Sequence, residues 1–184
     1  MLVCGIDEAG RGPIAGPVTA AAVILPPRFP PGVLADSKAL TPRRREEAAR
    51  LVRELCVAWA TGWASPAEID ELNIHRATLL AMARALARLS VLPALILVDG
   101  LFTPPTALPC RAIVRGDRTE PAIMAASIIA KTARDRWMRI YARRAPQYEF
   151  EVHKGYPTRR HRELVGELGL SPIHRRSFRI SLPG

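Results

Sequence analysis

Two apolar runs near the N-terminus, separated by a loop of glycines and prolines, constrain the fold of this chain more than any other feature. The first, Leu2 to Ile6, ends in two adjacent acids, Asp7 and Glu8, and leads into a stretch with Gly10, Gly12, Gly16, Pro13 and Pro17. The second, residues 17–25 (PVTAAAVIL), is rich in Val, Ile, Thr and Ala and reads as a strand. A dinucleotide-binding crossover would need G-x-G-x-x-G with a helix directly behind it. Here Gly16 falls one residue out of step and a strand follows, so the loop closes a hairpin. No helix N-terminus is then available to hold a pyrophosphate, and two carboxylates beside the loop would repel one.

The later elements follow from local signals. PPRFPPG (26–32) is a rigid loop. Thr41-Pro42 supplies an N-cap and a first-turn proline for a helix over RRREEAARLVREL. Residues 56–64 read as a third strand, Ser65-Pro66 caps a short helix, and residues 75–89 carry apolar side chains at helical spacing. PALILVDG is a continuous apolar run that stops at Asp99, the pattern of a strand buried on both faces. Residues 111–117 (RAIVRGD) read as a further strand ending at an acid, and residues 120–144 as a long helix. The tail, with HKGYPTRRH and HRRSF, holds one more helix. An antiparallel set followed by alternating strands and helices predicts a mixed β-sheet flanked by helices, in one α/β domain.

Charge narrows the function. The net charge is +10, and only Lys38, Lys131 and Lys154 among the 27 basic residues are lysines. Arginine suits bidentate contact with phosphate, so a nucleic acid is the expected partner. Against that background, Asp7, Asp99 and Asp117 each end or follow an apolar strand, with Glu8 adjoining the first. Carboxylates at buried strand ends are costly unless paired or bound to metal, and strand ends of an open α/β sheet converge on one crevice. An all-oxygen site there suits Mg²⁺ or Mn²⁺. Successive strand residues face opposite sides, so Asp7 and Glu8 share a site only where the pleat gives way to the loop. Plainer readings stand beside these: Asp117 as an acid at a helix N-terminus, and Asp99-Gly100 as a turn.

Three cysteines with no CxxC pair, and four histidines with no HxxxH spacing, argue against a zinc site. No apolar run approaches the ~20 residues that span a bilayer, and the N-terminus lacks the basic flank of a signal peptide. A cytoplasmic monomer is expected.

The motifs GIDEAGRGPIAGPV, DSKAL, ELNIHRATLLAM, LVDG, RGD, AASIIAKTARDRWM, HKGYPT and HRRSF, in this order, resemble those of ribonuclease HII over nearly the whole chain. The arginine of GRG separates the pattern from the related type HIII enzymes. The resemblance implies a ribonuclease H-like fold over residues 1–184, with about 146–184 as a C-terminal helical extension. It implies hydrolysis on the 5′ side of a ribonucleotide embedded in duplex DNA, or of an RNA/DNA hybrid, by two-metal-ion catalysis with Mg²⁺ or Mn²⁺. Asp7, Glu8, Asp99 and Asp117 would be the catalytic metal ligands. Gly10, Arg11 and Gly12 would sense the 2′-hydroxyl, Tyr156 would pack on the sugar next to the ribonucleotide, and Lys38 would contact phosphate. Asp135 is given a supporting role. The alternatives are another nuclease or strand-transferase of this fold acting on DNA junctions, and a binder that has lost catalysis.

Overall fold

The computed structural model describes residues 1–34 and 41–181, so the expected phosphate contact Lys38 lies outside the described residues. The expected hairpin forms: β1 (Val3–Ala9) pairs antiparallel with β2 (Val18–Ile24). β2 continues antiparallel to β3 (Ala58–Ala64), while β4 (Leu95–Asp99) and β5 (Cys110–Ile113) add in parallel on the other side of β1. The five-stranded mixed sheet has the order β3-β2-β1-β4-β5.

Helices cover both faces. α1 (Pro42–Leu55) starts where Thr41 Oγ1 accepts the Arg44 amide, at 3.3 Å. α2 (Pro66–Leu72) opens with a full capping box between Ser65 and Glu68. α3 (Ile74–Ala87) packs Ala77, Ala81 and Ala85 against Cys4, Ile6, Ala20 and Ala22 on one face. On the other face α5 (Pro121–Ala142) lays Ala125, Ala126 and Ile129 on Ala21 and Val23, together with Ala48, Ala49 and Val52 of α1. Contact is closest at Gly5, where a Cβ would stand 2.0 Å from the Ala122 carbonyl carbon, so α5 begins directly on β1.

Beyond α5 come α6 (Phe150–His153) and α7 (Arg159–Leu168), joined to the main body through Tyr148, Phe150 and Ile173 packed on Met138 and Ala15. A groove of about 400 Å³ runs between the edge strand β3 and α5, lined by Trp59, Trp63, Trp137, Arg53, Arg136 and Ile140.

Three sequence expectations need correction. β1 does not stop at Ile6: the ladder continues with Asp7 opposite Ala21 and Glu8 opposite Ala20. β4 is fully covered on one face only, with Ile96 and Val98 buried but Leu95 and Leu97 half-buried, because α5 lies chiefly over β1 and β2. RAIVRGD is not strand throughout. β5 ends at Ile113, Arg115 takes a left-handed conformation at φ 58°, and Asp117 sits in the first turn of α4 (Gly116–Thr119).

Candidate active site

The pleat of β1 sorts the two N-terminal acids. Gly5, Asp7 and Ala9 face α5, whereas Cys4, Ile6 and Glu8 face α3. The last rung pairing β1 with β4 is Ile6 to Val98, so one step further Asp99 comes alongside Asp7. The turn after β5 swings Asp117 back over them, and its amide donates to Asp99 Oδ1 at 3.1 Å. Carboxylate oxygens of Asp7, Asp99 and Asp117 thereby lie within 4.8 Å of one another. Asp117 is thus both an acid in a helical first turn and a member of the cluster.

Glu8 does not join by a break in the pleat. Its side chain leaves the strand on the opposite face, beside a cavity of about 100 Å³ lined also by Arg11, His75, Thr78, Asp99 and Phe102, and its carboxyl still comes within hydrogen-bonding reach of the Asp7 side chain. Arg11 Nη1 lies 3.4 Å from Glu8 Oε1. Asp99, at the strand end, is near enough to repel both Asp7 and Glu8.

Burial, with Glu8 and Asp99 nearby, holds the Asp7 carboxyl well above the usual carboxylate range, although the Ser127 hydroxyl and the Glu8 amide offset part of the cost. Burial also raises Glu8, against the opposing pull of Arg11. Three carboxylates this close repel one another unless protons or a cation intervene. With oxygen ligands alone, the cluster fits a hard divalent ion. Asp135 stands apart from it, paired with Lys131 at 2.8 Å and with Arg45.

The glycine loop is held from beneath by two arginines that sequence reasoning missed. Arg134 and Arg175 are both 0% exposed. Arg134 donates from Nε to Pro17 O, from Nη1 to Lys154 O and from Nη2 to Ala15 O, at 2.9–3.0 Å. Arg175 donates to the carbonyls of Gly16, Arg11 and Gly10 at 2.9, 3.0 and 2.5 Å. Gly10 has φ +97°, and a Cβ there would sit 2.1 Å from Arg134 Nε. With the carbonyls of Gly10 and Arg11 turned inward onto Arg175, the amides that follow them, those of Arg11 and Gly12, are directed away from it.

A signal for Arg134 was present: Ala130, Arg134 and Met138 recur at four-residue spacing and share one buried stripe of α5. Arg175 offers no such clue, since its partners lie 159–165 residues away.

Tyr156 lies across from this loop. Its ring edge is 4.0 Å from where a Cβ on Gly12 would be, the residue is 39% exposed, and Lys131 Nζ stands 5.3 Å from the ring centre. The backbone joins the two segments, with the Ile14 amide donating to Gly155 O at 2.9 Å and the Arg175 amide to Ile14 O at 2.9 Å. The acids, the glycine loop and Tyr156 therefore form one continuous region.

The family model described as Ribonuclease HII matches residues 4–181. A ribonuclease HII of an Azoarcus species is 54% identical over 96% of this chain and 87% of its own length. Among solved structures, the ribonuclease H2 of Pyrococcus horikoshii superposes with a TM-score of 0.83 at 28% identity, covering 97% of this chain and 94% of that one. The PCNA:RNase HII complex of Archaeoglobus fulgidus gives a TM-score of 0.77 at 25% identity, covering 100% and 98%.

Proposed function

Since this chain belongs to the ribonuclease HII family, and is accordingly a metal-dependent endonuclease that cleaves RNA paired with DNA, we propose that its substrate is a duplex carrying an embedded ribonucleotide, cut on the 5′ side of that ribonucleotide. The observation that carries the reading is the meeting of Asp7, Asp99 and Asp117 within 4.8 Å, beside a glycine loop whose Gly10 and Arg11 carbonyls are held on Arg175.

Asp7, Asp99 and Asp117 would hold a divalent cation, Mg²⁺ or Mn²⁺, on one face of the strand ends, and Glu8 would reach the same strand end from the other. Bound there, such ions supply an activated water and stabilise the leaving oxygen of a phosphodiester. The protein's own part is to keep the acids at that distance and to select the sugar. Ser127 and the Glu8 amide orient Asp7, and the Asp117 amide orients Asp99.

Selection of ribose rests on one hydroxyl that both donates and accepts. Glycines at positions 10 and 12 let backbone amides and carbonyls approach it with no side chain between, and Arg11 lies between them with its guanidinium on Glu8. Tyr156, facing Gly12, would pack on the neighbouring sugar without regard to base identity. Residues 146–184 would act as the C-terminal extension that carries Tyr156, and Lys38 would add a phosphate contact. The enzyme would work as a cytoplasmic monomer; among the described residues no helix is long and apolar enough to cross a membrane.

The test is cleavage of a DNA duplex with a single ribonucleotide under Mg²⁺ or Mn²⁺. Cutting 5′ of the ribose is expected, and Asp7→Asn should lower turnover by at least ~100-fold, since loss of mere outer-shell partners of a metal already costs 10–100-fold. Turnover retained in Asp7→Asn would remove the metal-site assignment. Cutting of all-DNA junctions in place of the ribonucleotide would move the protein to another class.

A further inference from the structure

The segment 171–174 reaches Tyr156 through two buried histidines whose protons are ordered by the backbone groups at either end. The Ser171 amide donates to His174 Nδ1 at 2.9 Å, and the Ser171 hydroxyl, free to rotate and donate as well, lies 2.8 Å from the same nitrogen. A backbone N–H cannot accept, so His174 Nδ1 is bare and its single proton is on Nε2. That Nε2 lies 3.0 Å from His161 Nε2, which must therefore accept. The His161 proton is then on Nδ1, 2.8 Å from the carbonyl oxygen of Tyr156, which can only accept. A chain of three hydrogen bonds, all pointing the same way, ends on the peptide group of Tyr156. The Thr158 amide donates to the same oxygen at 2.8 Å, so both of its acceptor positions are filled.

His153 completes the support from another side. Its ring stacks on His161 with centroids 3.9 Å apart, its Nδ1 accepts the Gly155 amide at 3.1 Å, and its Nε2 donates to Tyr148 O at 2.7 Å. The Tyr156 amide in turn donates to His153 O at 3.0 Å. Both ends of the Tyr156 residue are thus tied to imidazole-bearing residues.

Packing alone does not account for this arrangement. His161 is 0% and His174 3% exposed, among Phe150, Tyr148 and each other. An apolar ring would fill that space without the cost of burying two imidazoles. What an apolar ring cannot do is fix the Tyr156 carbonyl, and with it the direction in which the phenol leaves the backbone towards Gly12.

We infer that His161 and His174 are positioning residues for substrate recognition: the ordered pair His174→His161 holds Tyr156 at the angle from which it reads the sugar beside the ribonucleotide. The inference deepens the proposed function and rests on its assignment of Tyr156 to the substrate.

The test compares kcat/KM of the full chain on two substrates, a DNA duplex with one ribonucleotide and a continuous RNA strand paired with DNA; their ratio is the junction preference. Tyr156→Ala should lower the ratio. His161→Leu should lower it by about fivefold, the worth of one hydrogen bond, and should add nothing further in the Tyr156→Ala background. His161→Asn should recover most of the preference, because its amide nitrogen can occupy the place of Nδ1 and donate to the same carbonyl. An unchanged ratio in folded His161→Leu, alongside a lowered ratio in Tyr156→Ala, would overturn the positioning role. An unchanged ratio in Tyr156→Ala itself would instead remove the underlying assignment, and the inference with it. If His161→Leu does not fold, the wild-type protein still decides: nitrogen-15 imidazole spectra at neutral pH should show His161 protonated at Nδ1 and His174 at Nε2. The opposite tautomers would overturn the proposal.

Discussion

Arg134 shows how much of the site depends on a residue that touches no substrate. Its planar fork donates three hydrogen bonds to carbonyls from two distant segments, at Ala15, Pro17 and Lys154. A lysine ammonium cannot reproduce that fixed geometry, so Arg134→Lys should leave carbonyls unsatisfied and cost about 3 kcal/mol in urea unfolding. Gly10→Ala should act on the same contact from the other side. Its methyl would collide with Arg134 Nε, at a φ of +97° that disfavours any side chain, and ribose discrimination should fall with it when ribose- and deoxyribose-containing duplexes are compared. The histidines make a pH prediction. Burial pushes His161 and His174 down to about 4, below the ~6.5 of an exposed imidazole. The unfolded chain therefore binds more protons than the folded one between those values. The pair's contribution to stability is complete above pH 6.5 and is lost as pH falls towards 4. Imidazole titration followed by NMR should find both rings neutral at pH 5.5. A double variant lacking both rings should lack that part of the pH dependence of unfolding.

Elements were legible wherever their signals are local. Thr41, Ser65 and the prolines behind them mark the starts of α1 and α2 because a cap acts within one turn. Asn73 does more than its sequence position discloses. It ends α2 at φ 69° and at once caps α3, its Oδ1 accepting the Arg76 amide at 3.1 Å. Asn73→Gly keeps the backbone angle and should cost only a few tenths of a kcal/mol, whereas Asn73→Ala loses both features and should cost ~1–2 kcal/mol; chemical denaturation of the two variants separates cap from conformation. Other features were hidden because they depend on partners. The left-handed Arg115 that turns RGD from strand into helix leads into Gly116, where a Cβ would crowd Ile123 and Ile113, and no local pattern foretells that close packing. The half-covered face of β4 reflects where α5 lies, and the continuous apolar run LILV does not disclose that.

At the scale of the whole molecule, the acids that sequence alone singled out come together from β1, β4 and α4, with Asp7 and Glu8 leaving β1 on opposite faces because the ladder to β2 keeps the strand pleated through Glu8. The fold class, the hairpin and the convergence of Asp7, Asp99 and Asp117 were readable, and Arg134 left its trace in a helical stripe; Arg175, whose partners lie 159–165 residues away, and the histidine pair left none. The net charge of +10 is carried almost wholly by arginine, so binding to duplex should weaken steeply with salt. Six phosphate contacts would give a slope of about −5 in log K against log salt, and a titration from 50 to 200 mM measures it. The groove between β3 and α5 has a separate, optical consequence. It gathers Trp59, Trp63 and Trp137, every indole in the chain, and none of the four acids or of Gly10, Arg11 and Gly12 lines it. Intrinsic fluorescence of this protein is therefore a reporter of one seam, the docking of the edge strand on the long helix, and reads that seam independently of events at the acids.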